Sequence, residues 1–183
     1  MTVSRRPRLF AIAVATAVVA MCAYLLLERD QALGFSHPVL SICFDYRSAG
    51  AHFLPEECWW YSGEDLHTVL GSLGPDKRSL YSLSLLTADV LFPIAYGCLV
   101  ALLLAWVNTR PLARLELSVP LLAAASDLCE NALTALSSSY YDAARTTFVE
   151  QVASWASLSK WVLLTTALAL LLFRFVRARL GYS

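Results

Sequence analysis

The sequence predicts an all-α polytopic membrane protein: a four-transmembrane-helix antiparallel bundle with one large extracytoplasmic loop. Three observations carry that expectation. The 183 residues are 58% hydrophobic and 15% charged, more apolar than a soluble domain of ordinary composition. Four runs come close to or exceed the roughly 20 mostly apolar residues that a bilayer-crossing helix needs. Arginines crowd the helix ends on one side of the resulting topology, as cytoplasmic ends require. A formal net charge of zero leaves no electrostatic argument for a nucleic-acid partner. Dinucleotide, P-loop and zinc-protease motifs are absent from the sequence.

The chain reads as one membrane domain, 1–183, with spans at about 9–27, 83–107, 112–137 and 152–173. The first is free of charge, and it is longer than the roughly 7–15 residues of a signal-peptide core, so it is expected to stay as a helix. The second contains Asp89, the third Glu116, Asp127 and Glu130, and the fourth Lys160. Arg110, Pro111 and Arg114 punctuate the second and third spans into an antiparallel pair. These arginines fall on the same side as Arg5, Arg6, Arg8, Arg174, Arg177 and Arg179, close to helix ends where the charge rule acts most strongly. Both termini are therefore expected in the cytoplasm and the loop 28–80 outside.

That loop holds Cys43 and Cys58. A bridge between them would close a loop of ~16 residues and contribute about 3 kcal/mol by chain entropy; two unpaired thiols are the alternative. Cys22, Cys98 and Cys129 lie in separate spans and read as small apolar packing residues. Within the loop, Ser62 and Asp65 form a capping box ahead of a short amphipathic helix at 63–73. Leu66, Val69, Leu70 and Leu73 share one of its faces, Gly74 stops it, and Pro75 suits the first turn of a following helix. Trp59, Trp60 and Tyr61 read as an interfacial belt. His37, His52 and His67 lack the spacing of a metal motif and read as solvated, so no metal and no cofactor is expected.

Counting 1.5 Å of rise per residue from the outer helix ends puts Asp89 about 9 Å deep, Glu130 about 10 Å, Lys160 about 12 Å and Asp127 about 15 Å. Four ionisable groups on three helices thus share one layer. On the third helix, Pro120, Ala123, Ala124, Asp127, Glu130, Asn131, Thr134 and Ser138 form a stripe of small and polar residues, with leucines over much of the remainder. Asp89 shares a face with Tyr96 on the second helix, and Pro93 frees the carbonyl of Asp89, four residues back. Three carboxyls against one ammonium require pairing, protonation, a cation or water.

Ionisable residues inside a membrane point to function before structure. Asp127, Glu130 and Asp89 are the expected catalytic or binding acids, with Asn131, Tyr96 and Lys160 orienting. The leading expectation is binding or acid–base transformation of a lipophilic small molecule, of isomerisation or cyclisation type. Proton- or cation-coupled transport by an oligomer is the second. An accessory role through the outer loop is the third, with the acidic layer as interhelical glue. Expected partners are membrane lipids and such a lipophile. In outline the bundle with buried acids resembles the sterol-isomerase and emopamil-binding class, but no membrane helix here carries a histidine, so no residue role transfers.

Overall fold

The computed structural model describes residues 5–34, 43–45, 54–55, 58–107, 114–142 and 148–180. Five helices and two short strands follow in order: α1 (Arg5–Leu33), β1 (Cys43–Asp45), β2 (Cys58–Trp60), α2 (Gly63–Leu85), α3 (Ala88–Val107), α4 (Arg114–Ser139) and α5 (Phe148–Arg179). The fold is nearly all helical. Three helical stretches are long and apolar enough to cross a membrane: Leu9–Leu33, Gly63–Val107 and Phe148–Arg179.

α4 lies outside that set because its carboxyls lower its hydropathy, yet it is the hub of the bundle, packing on α2, α3 and α5. Its small and polar stripe, Pro120 through Ser138, is buried at all eight positions, whereas Leu121, Leu122 and Leu136 are exposed. Polar and small residues thus face inward along α4 and leucines face outward. α1 packs on α3, and α3 approaches α4 closely at Gly97, where a Cβ would meet that of Ala124 at 2.9 Å. That contact brings the neighbouring Tyr96 against the acidic part of α4.

α2 begins at the capping box read from the sequence: Asp65 N–H donates to Ser62 Oγ at 3.2 Å, and the Ser62 N–H donates to Asp65 Oδ2 at 2.7 Å. Gly74, at φ 71°, kinks the helix, and the chain resumes helical geometry from Pro75 to Leu85. Leu66, Val69, Leu70 and Leu73 turn inward to form an apolar core with Leu33, Tyr61, Tyr81, Leu85, Ala135 and Ala153. α2 therefore packs against the C-terminal end of α4 and the N-terminal end of α5. A short turn at Leu86 and Thr87 separates it from α3.

The strands form a two-stranded parallel pair in which Cys43 and Cys58 are Cα register partners. The side chain of Cys43 lies outside the described residues, as do His37, His52, Glu56 and Glu57. β2 docks on α5: Trp59 stacks on Trp161 with centroids 5.7 Å apart, and Trp60 meets Trp155 edge-on at 5.6 Å. These tryptophans join the outer segment to the bundle, a more specific arrangement than the interfacial belt expected from their sequence.

α4 and α5 run antiparallel in a register fixed at two levels. Glu130 pairs with Lys160, and Glu116 pairs with Arg174. Between those levels the seam is apolar, with Ala123 and Ala167 fully enclosed and Val100 and Leu104 packed beside Ala167 from α3.

Candidate functional site

Lys160 sits on α5 facing two carboxylates of α4. Its ammonium lies 2.6 Å from Glu130 Oε2 and 3.2 Å from Asp127 Oδ1. The helical offset of three residues between Asp127 and Glu130 puts both on one face, about one turn apart, so a single cation reaches the pair. Lys160 is buried, held inward by both acids, although a lysine near a helix end could otherwise extend toward water.

A phenol hydroxyl occupies the other oxygen of each acid. Tyr96 Oη donates to Asp127 Oδ2 at 3.0 Å, and Tyr61 Oη donates to Glu130 Oε1 at 2.9 Å. The result is a continuous chain, Tyr96–Asp127–Lys160–Glu130–Tyr61, drawn from α3, α4, α5 and the segment after β2. Tyr61 is itself fixed, since Ser154 Oγ on α5 donates to its carbonyl at 2.5 Å. Charge-assisted hydrogen bonds of this kind are roughly twice as strong as neutral ones, and a dry setting strengthens them further.

Asp89 belongs to an adjoining cluster. Its Oδ2 lies 3.2 Å from Arg29 Nη1, and Arg29 also holds Asp30 at 2.7 Å. The guanidinium lies 5.7 Å from the centroid of the Tyr81 ring. Asn131 connects the two clusters: its Nδ2 donates at 3.0 Å to the main-chain carbonyl of Asp89, the acceptor that Pro93 releases. Pro93 in α3 thus leaves an acceptor that takes a hydrogen bond from α4.

The structure sets Asp127, Glu130, Lys160 and Tyr96 in one cluster and Asp89 in the other, with Asn131 between them, and adds Arg29, Asp30 and Tyr61, which the sequence reading places elsewhere. Arg29 and Asp30 were assigned to the outer loop; α1 continues through them to Leu33. Tyr61 was assigned to an interfacial belt and is 1% exposed. His67, read as solvated, instead places Nδ1 3.0 Å from Oε1 of Glu150 near the start of α5, and stacks on Tyr141 at 4.9 Å. A polar residue directly after an apolar run was the available signal for Arg29 and Asp30. Tyr61 offered none, because its position depends on how a non-helical segment docks.

The arrangement places one ammonium between two carboxylates, each of which also accepts from a phenol, so the group holds shared protons and charge in a buried setting. No family model, curated protein or solved structure matches the chain, so its chemistry is argued from these residues alone.

Proposed function

We propose that the chain is a four-span integral membrane protein whose carboxylate site binds a lipophilic small molecule and acts on it by acid–base chemistry of isomerisation or cyclisation type. The observation that supports this most is the sharing of Lys160 by Asp127 and Glu130, with Tyr96 and Tyr61 on their remaining oxygens. When the ammonium leans toward one carboxylate, the other becomes the better proton acceptor, which suits an acid and base working in turn. Asp89, positioned by Arg29, and Asn131 orient the facing wall. The apolar seam between this layer and Glu116–Arg174 supports a pocket over a path across the membrane.

Native mass spectrometry of the purified protein is expected to find a specific lipophile retained by the wild type and lost from Asp127→Asn and Glu130→Gln, with both variants folded. Wild-type protein carrying no such molecule, or variants that keep it, would refute the proposal. Collapse of both variants would point to the carboxylates as interhelical glue.

In this reading α1, α3, α4 and α5 span the bilayer, both termini are cytoplasmic, and Cys43 and Cys58 form a disulfide outside. Neighbouring strands lie about 4.8 Å apart, within the Cα separation that a disulfide bridges, and the two cysteines are register partners. Alkylation of denatured protein is expected to modify both cysteines only after reduction; modification without reductant excludes the bond. Protease outside sealed right-side-out vesicles is expected to cut within 35–53 and spare tags at both termini, and loss of either tag excludes the topology.

A further inference from the structure

Serine and threonine hydroxyls in helices commonly bond back to a carbonyl of the preceding turn. Thr16, Thr87, Thr165 and Thr166 do so in this protein. Thr134, Ser137 and Ser157 do not. They are 2%, 5% and 0% exposed, their oxygens are enclosed, and none has a hydrogen-bond partner among the described residues. The enclosed Nε1 of Trp161 is in the same condition.

The Glu130–Lys160 contact sets these groups on facing stretches of α4 and α5. Thr134 is four residues from Glu130 and Ser157 three residues from Lys160, in the same direction along the seam, so each stands about one turn from that contact on its own helix. Trp161 follows Ser157 by one turn on the same face, and Ser137 lies about one turn beyond Thr134. Further out on α5, Glu150 meets His67. Inward of Lys160 the corresponding positions are Ala123 and Ala167. Orphaned hydroxyls therefore continue from the site toward the His67–Glu150 pair, while at the other end of the seam the enclosed Glu116 and Arg174 side chains pair with each other.

A buried hydroxyl left without a partner is destabilising, and ordered water is the usual partner of such groups when several converge. We propose that the outer half of the α4–α5 seam is a binding site for ordered water, held by Thr134, Ser137, Ser157 and Trp161 Nε1 between the Lys160 carboxylate pair and the His67–Glu150 pair. The water provides the medium through which protons on Asp127 and Glu130 exchange with the outer side. Only this use of the water rests on the acid–base reading; its presence rests on the orphaned donors.

Hydroxyl radicals generated by X-rays at bound water oxidise adjacent side chains, and peptide mass spectrometry of the full-length protein locates them. Tyr61 and Tyr81 are both reactive and both fully buried, but Tyr61 donates its hydroxyl to Glu130 and accepts from Ser154 at its carbonyl, whereas the Tyr81 ring lies against Arg29. Tyr61 is expected to be oxidised and Tyr81 to be spared. In the Thr134→Val/Ser157→Ala double variant, oxidation of Tyr61 is expected to fall to the level of Tyr81, while Thr134→Ser retains it. Equal protection of Tyr61 and Tyr81 in the wild type overturns the proposal, as does undiminished Tyr61 oxidation in a folded double variant. The wild-type comparison decides the matter if the double variant fails to fold. Because the readout involves no lipophile, Tyr61 oxidation in a protein that retains no ligand refutes the function proposed above and leaves the water site standing.

Discussion

Replacing Lys160 by Met is expected to destabilise the protein by about 3–5 kcal/mol, the cost of removing one partner from a buried ion pair. Methionine fills nearly the same volume, so the loss is electrostatic rather than steric. The variant removes the ammonium that lies 2.6 Å from Glu130 and 3.2 Å from Asp127, and both carboxylates sit at buried positions of α4. Tyr61 and Tyr96 still donate to them but bring no charge. Thermal unfolding in detergent, followed by tryptophan fluorescence, measures the effect. Neutralising the acids in the same chain, as Lys160→Met/Asp127→Asn/Glu130→Gln, is expected to recover most of the lost stability, because the replacement of a whole buried ionic group is often neutral. Asp127→Asn or Glu130→Gln alone is expected to cost less than Lys160→Met, since Lys160 then retains a carboxylate. A Lys160→Met protein that melts with the wild type would show that the ammonium does not bridge the pair.

The acidic wall was legible in the sequence because a helix in hydrocarbon sorts residues by angle. Once Asp127, Glu130 and Asn131 are placed on one face, the small residues at i−4 and i+4 follow, and the exposed Leu121, Leu122 and Leu136 mark the opposite side. Pro93 likewise announced a free carbonyl; its acceptor is used by Asn131. Helix ends were harder. Hydropathy closes the first helix at Leu27, yet α1 runs to Leu33 because Arg29 and Asp30 turn toward Asp89 and gain partners there. The turn at Leu86 and Thr87 contains no glycine or proline and lies within an apolar run, so neither composition nor turn chemistry reveals it. Tyr61 and His67 depend on contacts with α4 and α5 that lie far along the chain. Local periodicity carries no record of such pairings.

Arg29→Met is expected to loosen α1 from the remainder of the bundle. Apart from the hydrogen bond that Lys77 on α2 donates to the Leu33 carbonyl at 2.7 Å, α1 rests on apolar contacts of a sparsely buried helix, and hydrocarbon offers no hydrophobic drive to keep such a helix attached. Arg29 is different: it joins Asp30 on its own helix to Asp89 on α3 and lies against the Tyr81 ring on α2. Three helices meet at one guanidinium. Because its side chain is 6% exposed, solvent screening is weak and the loss should approach the 3–5 kcal/mol typical of a broken buried pair. Asp89→Asn removes the acid while preserving the main-chain carbonyl that accepts from Asn131. The double variant Arg29→Met/Asp89→Asn is therefore expected to be more stable than the sum of the single effects, by about 0.5–3 kcal/mol, the range found for residues in contact. Melting temperatures of the four proteins close this cycle. Strict additivity would mean that Arg29 and Asp89 do not interact.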